Sequence, residues 1–272
     1  MSVIYGKGFY KLGGTPVPKA SLTPKSGVTY ISGLSSIEPA KLTILSQAIS
    51  NNGDITSETN TVYVDYKTTH VKIDIGNQVT IALNGTNYIF DVIGFNHDTL
   101  TTSTAYGANT KTGKAGITFQ MHDLFKKTYV MNSSDTNSGG WKSSAMRTST
   151  MATMKGYLPA AWQTAIKPVN KVSGTGSGSS SGTATVSDSC FLLAEIEIFG
   201  STSYSVSGEG TQYAYYKAGN SKVKNQGGSA FSWWERSPRS GYSDSFCRVG
   251  GDGSAGLRYA YDGLGVAFGF CV

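Results

Sequence analysis

Nine polar side chains near the carboxyl end carry the groups best suited to directional binding: Arg239, Tyr242, Asp244, Arg248, Ser254, Arg258, Tyr259, Tyr261 and Asp262. They lie among runs of Gly and Ser and alternate with short apolar blocks at Trp233-Trp234, Phe246 to Val249 and Val266 to Phe270. Tyr and Arg offer large contact area and oriented hydrogen bonds at modest entropy cost, while Gly and Ser let the backbone adapt. Antibody paratopes converge on the same alphabet. These nine residues are therefore the expected ligand-binding set, displayed on loops between rigid blocks.

Catalytic and metal chemistry is poorly represented. His70, His97 and His122 are far apart and lack metal-ligand spacing, although His97-Asp98 and His122-Asp123 each set a carboxylate beside an imidazole. Structural or surface roles are the favoured reading for all three. No Gly-x-Ser-x-Gly, Walker-type or His-Glu-x-x-His motif occurs. The oxygen-rich stretches Asp252-Gly253 and Asp135-Thr-Asn137 lack the regular spacing of a calcium loop. The expectation is a protein that is not an enzyme, with no catalytic residue, no metal and no cofactor.

The frame that would hold such a face is expected to comprise Trp141, Arg147, Trp233, Trp234 and Arg236. Paired tryptophans can stack on a sugar ring. In Trp234-Glu-Arg-Ser-Pro, however, an indole in the core and an arginine bridging loop carbonyls would together shape a long irregular segment, and that reading is preferred. Cys190, Cys247 and Cys271 read most simply as three buried thiols, with a Cys247 to Cys271 bridge as the alternative.

A chain of 272 residues can bury a core without covalent staples, as one large domain or two ordinary ones. Gly is abundant at 34 residues and charge is low at 15%, which favours strands and tight turns over long charged helices. The net charge is +6, and Lys7, Lys11, Lys19 and Lys25 load the N-terminus and Lys111, Lys114, Lys126 and Lys127 the middle, without aromatic interleaving. That pattern argues against a nucleic-acid groove. Toward the carboxyl end Arg236, Arg239, Arg248 and Arg258 are matched in number by Glu235, Asp244, Asp252 and Asp262. The start lacks the pattern of a secretion signal, and no run approaches the roughly 20 apolar residues of a membrane span, so assembly in a cytoplasm without membrane insertion is expected.

Along the chain, Gly13-Gly14, Pro16, Pro18 and Pro24 punctuate an irregular lead. A helix follows with Ser36 as N-cap and Leu42, Leu45 and Ile49 at helical spacing, up to Asn51-Asn52-Gly53. Strand alternation then runs through Val62 to Tyr66, Val71 to Ile75, and Val79 to Leu83, which turns at Asn84-Gly85 into Tyr88 to Phe95. Residues 98 to 116 read as a polar loop, Ile117 to Met121 as a strand and His122 to Phe125 as a short helical turn. The middle holds two helices, about Ser143 to Lys155 and Ala160 to Ile166. Ser173 to Ser181 reads as a flexible surface loop, and Phe191 to Phe199 as an alternating strand. Residues 1–58 form an expected attachment or oligomerisation segment, and residues 59–272 the ligand-binding domain.

An ordered series of motifs carries a resemblance: Gly140-Trp-Lys-Ser-Ser-Ala-Met-Arg147, Leu158-Pro, Ile166-Lys-Pro-Val-Asn-Lys171, Phe191-Leu-Leu-Ala-Glu-Ile-Glu-Ile-Phe-Gly200, Glu209-Gly-Thr-Gln-Tyr213, Trp233-Trp-Glu-Arg-Ser-Pro238 and Gly265-Val-Ala-Phe268. Over roughly residues 60 to 272 it resembles a domain common in bacteriophage and Gram-positive bacterial proteins, of the C-type lectin and formylglycine-generating-enzyme-like superfamily. The family commonly has Leu where Glu235 stands, and often Arg-Pro near Val266-Ala267. The carboxyl-terminal segment also resembles the variable region of proteins diversified by retroelements, where the randomised positions draw on Asn, Ser, Tyr, Asp, Gly and Arg.

The resemblance implies an α+β fold: a C-type lectin-like domain with mixed and antiparallel strands, two helices and long loops, preceded by a small strand and helix segment. It further implies a virion protein that acts outside the cell, such as a tail-fibre or other host-adhesion component. Its expected partners are a host-surface glycan or protein and other virion proteins, with the chain itself a homotrimer. The alternative is a head-decoration or baseplate protein that uses the same domain for virion contacts. An enzyme of the formylglycine-generating type would need a reactive cysteine pair, for which Cys247 and Cys271 are the only candidates.

Overall fold

A computed structural model describes residues 17–35 and 37–272. The expected N-cap Ser36, together with Lys7, Lys11, Gly13-Gly14 and Pro16, lies outside the described residues. Short strands β1 (Lys19–Ser21) and β2 (Ile31–Ser32) precede helix α1 (Pro39–Ser50). Glu38, in extended conformation, is the residue before the first turn, and Pro39 takes the first helical position, where its missing N–H costs nothing. Leu42, Leu45 and Ile49 are all buried, as their spacing predicts.

Strands β3 (Thr61–Tyr66) and β4 (Thr69–Asp74) pair antiparallel, with β1 and β2 on their outer edges in the order β1-β3-β4-β2. The chain on either side of residue 58 thus contributes to one sheet. Strands β5 (Gln78–Leu83) and β6 (Thr86–Phe95) form the hairpin expected at Asn84-Gly85, where both residues have positive φ. β6 then pairs with β7 (Ile117–Met121), which is buried along its whole length. Helix α1 lies close on this sheet: a Cβ at Gly116 would meet the Ser46 carbonyl oxygen at 1.9 Å, so no other residue fits there.

The middle of the chain departs from its periodicity. Instead of one helix from Ser143 to Lys155, there is a short helix α2 (Gly140–Ser143), a π-helical turn (Met146–Thr150) and helix α3 (Met151–Tyr157). Ser144 makes the break. Its backbone is extended, its hydroxyl donates to the Trp141 carbonyl, and the same oxygen accepts the Arg147 N–H, which restarts the helix. Met146, Met151 and Met154 remain buried together. Helix α4 (Ala160–Ala165) follows where Pro159 places it. His122 to Phe125 forms bends and no helical turn, because the N–H groups of Leu124 and Phe125 bond to Asn225 and Val266 across the fold.

Strands β8 (Val169–Gly174) and β9 (Thr183–Asp188) make a hairpin closed by the Gly/Ser tract. The expected strand from Phe191 to Phe199 is overturned: only β10 (Cys190–Phe191) is extended, and Glu195–Phe199 is helix α5. Period-two alternation failed here because the two glutamates point inward. Glu197 accepts the Ala194 N–H at the start of α5, and Glu195 accepts the N–H groups of Ser203, Tyr204 and Ser205. Gly200, in left-handed conformation, ends the helix. Helix α6 (Ala214–Lys217), hairpin β11 (Lys224–Gln226) and β12 (Ser229–Phe231), and strands β13 (Trp233–Pro238), β14 (Ser245–Val249), β15 (Ala255–Tyr259) and β16 (Gly269–Cys271) complete the chain. β16 enters the main sheet between β10 and β7, in the order β10-β16-β7-β6-β5.

The class is α+β with mixed and antiparallel sheets, but the expectation of a two-helix C-type lectin-like domain is corrected. Six α-helices and a π-helical turn are present among the described residues. Their strands divide into five separate sheets, and no closed lectin-like fold is formed. All three cysteines are free and buried.

Candidate functional site

Strands β13, β14 and β15 form a three-stranded antiparallel sheet, and the candidate face is built from the loop between β13 and β14, the end of the outer strand β15 and the turn that follows it. The middle strand β14 is covered on both faces, with Phe246, Cys247 and Val249 fully enclosed. At the end of β15, Ala260 is 0% exposed while Tyr259 and Tyr261 are 48% and 50% exposed. Ala260 is pinned by backbone bonds: its N–H donates to the Asp244 carbonyl, and its own carbonyl accepts from Met131 and Asn132. One buried residue between two outward ones throws both tyrosines to the same side. Their rings lie parallel, 2° apart in tilt and 6.1 Å between centroids.

Around this pair the chain gathers charge. Arg258 projects outward across from Phe246, and its Nε lies 4.0 Å from Asp262 Oδ2. Arg239, Ser245, Leu257, Arg258 and Tyr259 line an open cleft of about 190 Å³. The Arg239 guanidinium sits 3.3 Å from the centre of the Tyr242 ring, a cation–π contact that leaves Tyr242 51% exposed. Asp244 is half-buried at the foot of the loop and accepts the Ser245 hydroxyl.

Two of the nine residues sit elsewhere. Ser254 lies at the far end of β15, roughly 17 Å of extended strand from Tyr259, and its hydroxyl and N–H both donate to Asp252. Those two bonds hold the Asp252 carboxyl below the usual carboxylate range. Arg248 is half-buried and lies flat over Gly256, where a Cβ would meet its guanidinium carbon at 3.0 Å. The structure thus brings Arg239, Tyr242, Asp244, Arg258, Tyr259, Tyr261 and Asp262 to one end of the sheet and leaves Arg248 and Ser254 toward the other.

The loop from Arg239 to Asp244 is irregular but firmly held. Asn137, fully buried, donates from Nδ2 to the carbonyls of Tyr242 and Ser245 and accepts the Ser177 N–H at Oδ1. Further bonds run from Ser240 to Tyr204 and from Gly178 to Tyr242. The Asp135 to Asn137 stretch, a weak candidate for oxygen ligation, therefore supplies a loop staple.

Beneath the face lies the frame. Trp141 Nε1 and Arg147 Nε each donate to Asp188, at 2.7 Å. Trp233 and Trp234 are buried and donate to the carbonyls of Lys222 and Tyr129. Arg236, 0% exposed, donates to the carbonyls of Val172, Leu192 and Glu209 and to both carboxylate oxygens of Glu197. Its ion partner is Glu197, not the adjacent Glu235. Both Glu235 oxygens are buried without a hydrogen-bond partner, and burial, with Glu195 and Glu209 nearby, pushes that carboxyl well above the usual range.

Sequence reasoning missed the ionic cluster behind Arg236. Lys171 Nζ lies 2.7 Å from both Asp98 Oδ1 and Glu197 Oε1, and 4.2 Å from the centre of the Phe191 ring. Tyr213 donates to Asp98, Thr118 donates to Asp98 Oδ2 at 2.7 Å, and His97 stacks on Tyr213. Burial alone would raise the Asp98 carboxyl, but Lys171 and His97 together hold it well below its usual range. Glu197 follows the same balance under Arg236 and Lys171. Parity was the available signal: Lys171 shares the inward side of β8 with Val169 and Ser173.

What this surface offers is stacking, cation–π contact and hydrogen bonding. Among the described residues, no group of three or more His, Cys, Asp or Glu is placed to hold a metal ion. No curated protein and no solved structure matches the chain. A family model described as a domain of unknown function, DUF6273, matches residues 115–272, which takes in the frame tryptophans, the Arg236 cluster apart from His97 and Asp98, and the whole outward face. That match spans more than half of the chain, which therefore belongs to the DUF6273 family.

Proposed function

We propose that the protein is a bacteriophage virion component that binds a host-surface glycan or protein through the face built on Arg239, Tyr242, Arg258, Tyr259 and Tyr261. The observation that carries this reading is the parallel, half-exposed Tyr259 and Tyr261 pair, set on a backbone fixed by buried Ala260. Exposed aromatic rings beside arginines are the side chains that most often dominate binding energy. The assignment to a phage particle rests on the motif resemblance.

In this proposal the face is a variable region of the retroelement-diversified kind. Its outward side chains can change because the Arg236 frame and the Asn137 staple hold the backbone independently of them. Assembly as a homotrimer would repeat the face and add avidity to sites that are individually weak. Purified protein added to host cells is expected to compete with intact particles for adsorption. Failure to bind cells, with the protein instead binding purified particle subunits, would replace this reading with a structural role in the virion.

A further inference from the structure

The Lys171 cluster has the geometry of a reacting pair as well as that of an ion pair. Lys171 and Asp98 are 2% and 4% exposed, with Glu197 at 2% and Tyr213 at 0%, so bulk water is kept from all four. Nζ at 2.7 Å from Oδ1 puts the Asp98 carboxyl carbon roughly 3.5 Å away at an ordinary angle, within near-attack range. Glu197 Oε1 is 2.7 Å from the same nitrogen, on hand to take and return a proton. The other Asp98 oxygen, Oδ2, is held by Thr118 at 2.7 Å and Tyr213 at 2.9 Å, with the Cys271 thiol at 3.5 Å. These donors face the atom on which negative charge would build during attack.

We propose that Lys171 and Asp98 condense into an intramolecular amide cross-link, with Glu197 as the proton carrier. Nζ gives a proton, relayed through Glu197, to Asp98 Oδ1, and the free amine then swings over the plane of the neutral carboxyl and bonds to Cγ, while Thr118 and Tyr213 hold Oδ2. The Cγ–Oδ1 bond then breaks, and Oδ1 leaves with two of the three ammonium protons as water, one of them relayed by Glu197. Ammonium and carboxylate become amide and water, with no change in net charge and no oxidant or reductant. Arg236 remains paired with Glu197, so no uncompensated buried charge is left behind. Loss of two desolvated charges and expulsion of water from a dry site both favour the product.

The link would tie β8 to the segment following β6 across 73 residues of sequence. It would restrict the unfolded chain as a disulfide does, in a protein whose thiols are all unpaired. This inference goes beyond host binding and stands or falls separately from it.

The test is the intact mass of the full-length, folded protein after denaturation, followed by a peptide map. The expected mass is one water below that of the sequence, after allowing for any removal of Met1, and the map should contain a branched peptide joining Lys171 to Asp98. The full sequence mass after prolonged incubation of the folded protein would overturn the proposal and leave the four groups as a permanent ion cluster. A water loss mapped to any other pair of residues would overturn it equally.

Discussion

Arg236 clasps Glu197 through two nitrogens, Nη1 to Oε2 at 2.5 Å and Nη2 to Oε1 at 2.9 Å, with neither side chain reaching solvent. The same guanidinium closes three carbonyls from separate segments of the chain, so it joins the β8 hairpin, the approach to α5 and the Glu209 turn to β13. Removing one member of a buried pair strands the other. Arg236→Met is expected to cost about 3–5 kcal/mol of stability, read as a lower urea midpoint. The double variant Arg236→Met with Glu197→Met should lose less than the sum of the two single changes.

Glu235 makes the opposite prediction. With its carboxyl raised above the usual 4.5 by burial, the folded state binds its proton more tightly than the unfolded state does. Its contribution is therefore fully present below pH 4.5 and is lost as pH rises toward the folded value. Glu235→Leu removes both the titration and two unpartnered oxygens, and should stabilise by about 1–3 kcal/mol near neutral pH. The gain should shrink when unfolding is measured in acid.

Alkaline stability follows from the thiols. Burial pushes Cys190 from 9.0 up to about 12 and raises Cys247 and Cys271 as well. Above pH 9 the unfolded thiols ionise while the folded ones stay protonated, so stability falls by up to about 1.4 kcal/mol per thiol per pH unit. Lys224 works against this, since burial lowers its ammonium to about 8 and the unfolded state holds that proton longer. Lys167, also lowered by burial, acts in the same direction as Lys224, while the raised Tyr106, Tyr213, Tyr215 and Tyr216 add to the fall from about pH 10, so the falling contributions outweigh the rising ones. Urea midpoints should decrease between about pH 9 and about pH 10, and Cys190→Ala should make that decline shallower.

Much of the scaffold was legible because local chemistry and tertiary context agree there. Asn84-Gly85 needs positive φ at both residues and receives it, and Leu42, Leu45 and Ile49 face inward at helical spacing. Two of the misreadings fall where a polar side chain is buried. Glu195 and Glu197 imitate the outward side of a strand but are held inside by backbone N–H groups and by Arg236. Ser144 splits a helix that its neighbours' propensities would continue. Arg236 and Glu197 are 39 positions apart, and Lys171 and Asp98 are 73 apart, so neither pairing leaves a local pattern. The outward residues were legible by composition. Only Ala260, an inconspicuous residue between two tyrosines, reveals which way they point.

The Asn137 staple separates loop order from face chemistry. Asn137→Ala deletes two donors to carbonyls and one acceptor for an N–H, all at a buried position. A loss of about 2–3 kcal/mol is expected, together with protease cleavage between Arg239 and Asp244 under conditions where the parent chain stays intact. A resistant loop would assign its order to the Ser240 and Gly178 bonds alone.

The central claim is that a buried frame fixes the backbone while exposed side chains do the binding, and the double variant Tyr259→Ala, Tyr261→Ala tests it most directly. Adsorption to host cells and the melting temperature should be measured on the same preparation. The account expects affinity to fall by about tenfold or more while stability changes by no more than about 0.5 kcal/mol per site. Unchanged adsorption by a stably folded variant would contradict it. So would unfolding of the variant, which would place these rings in the structural core.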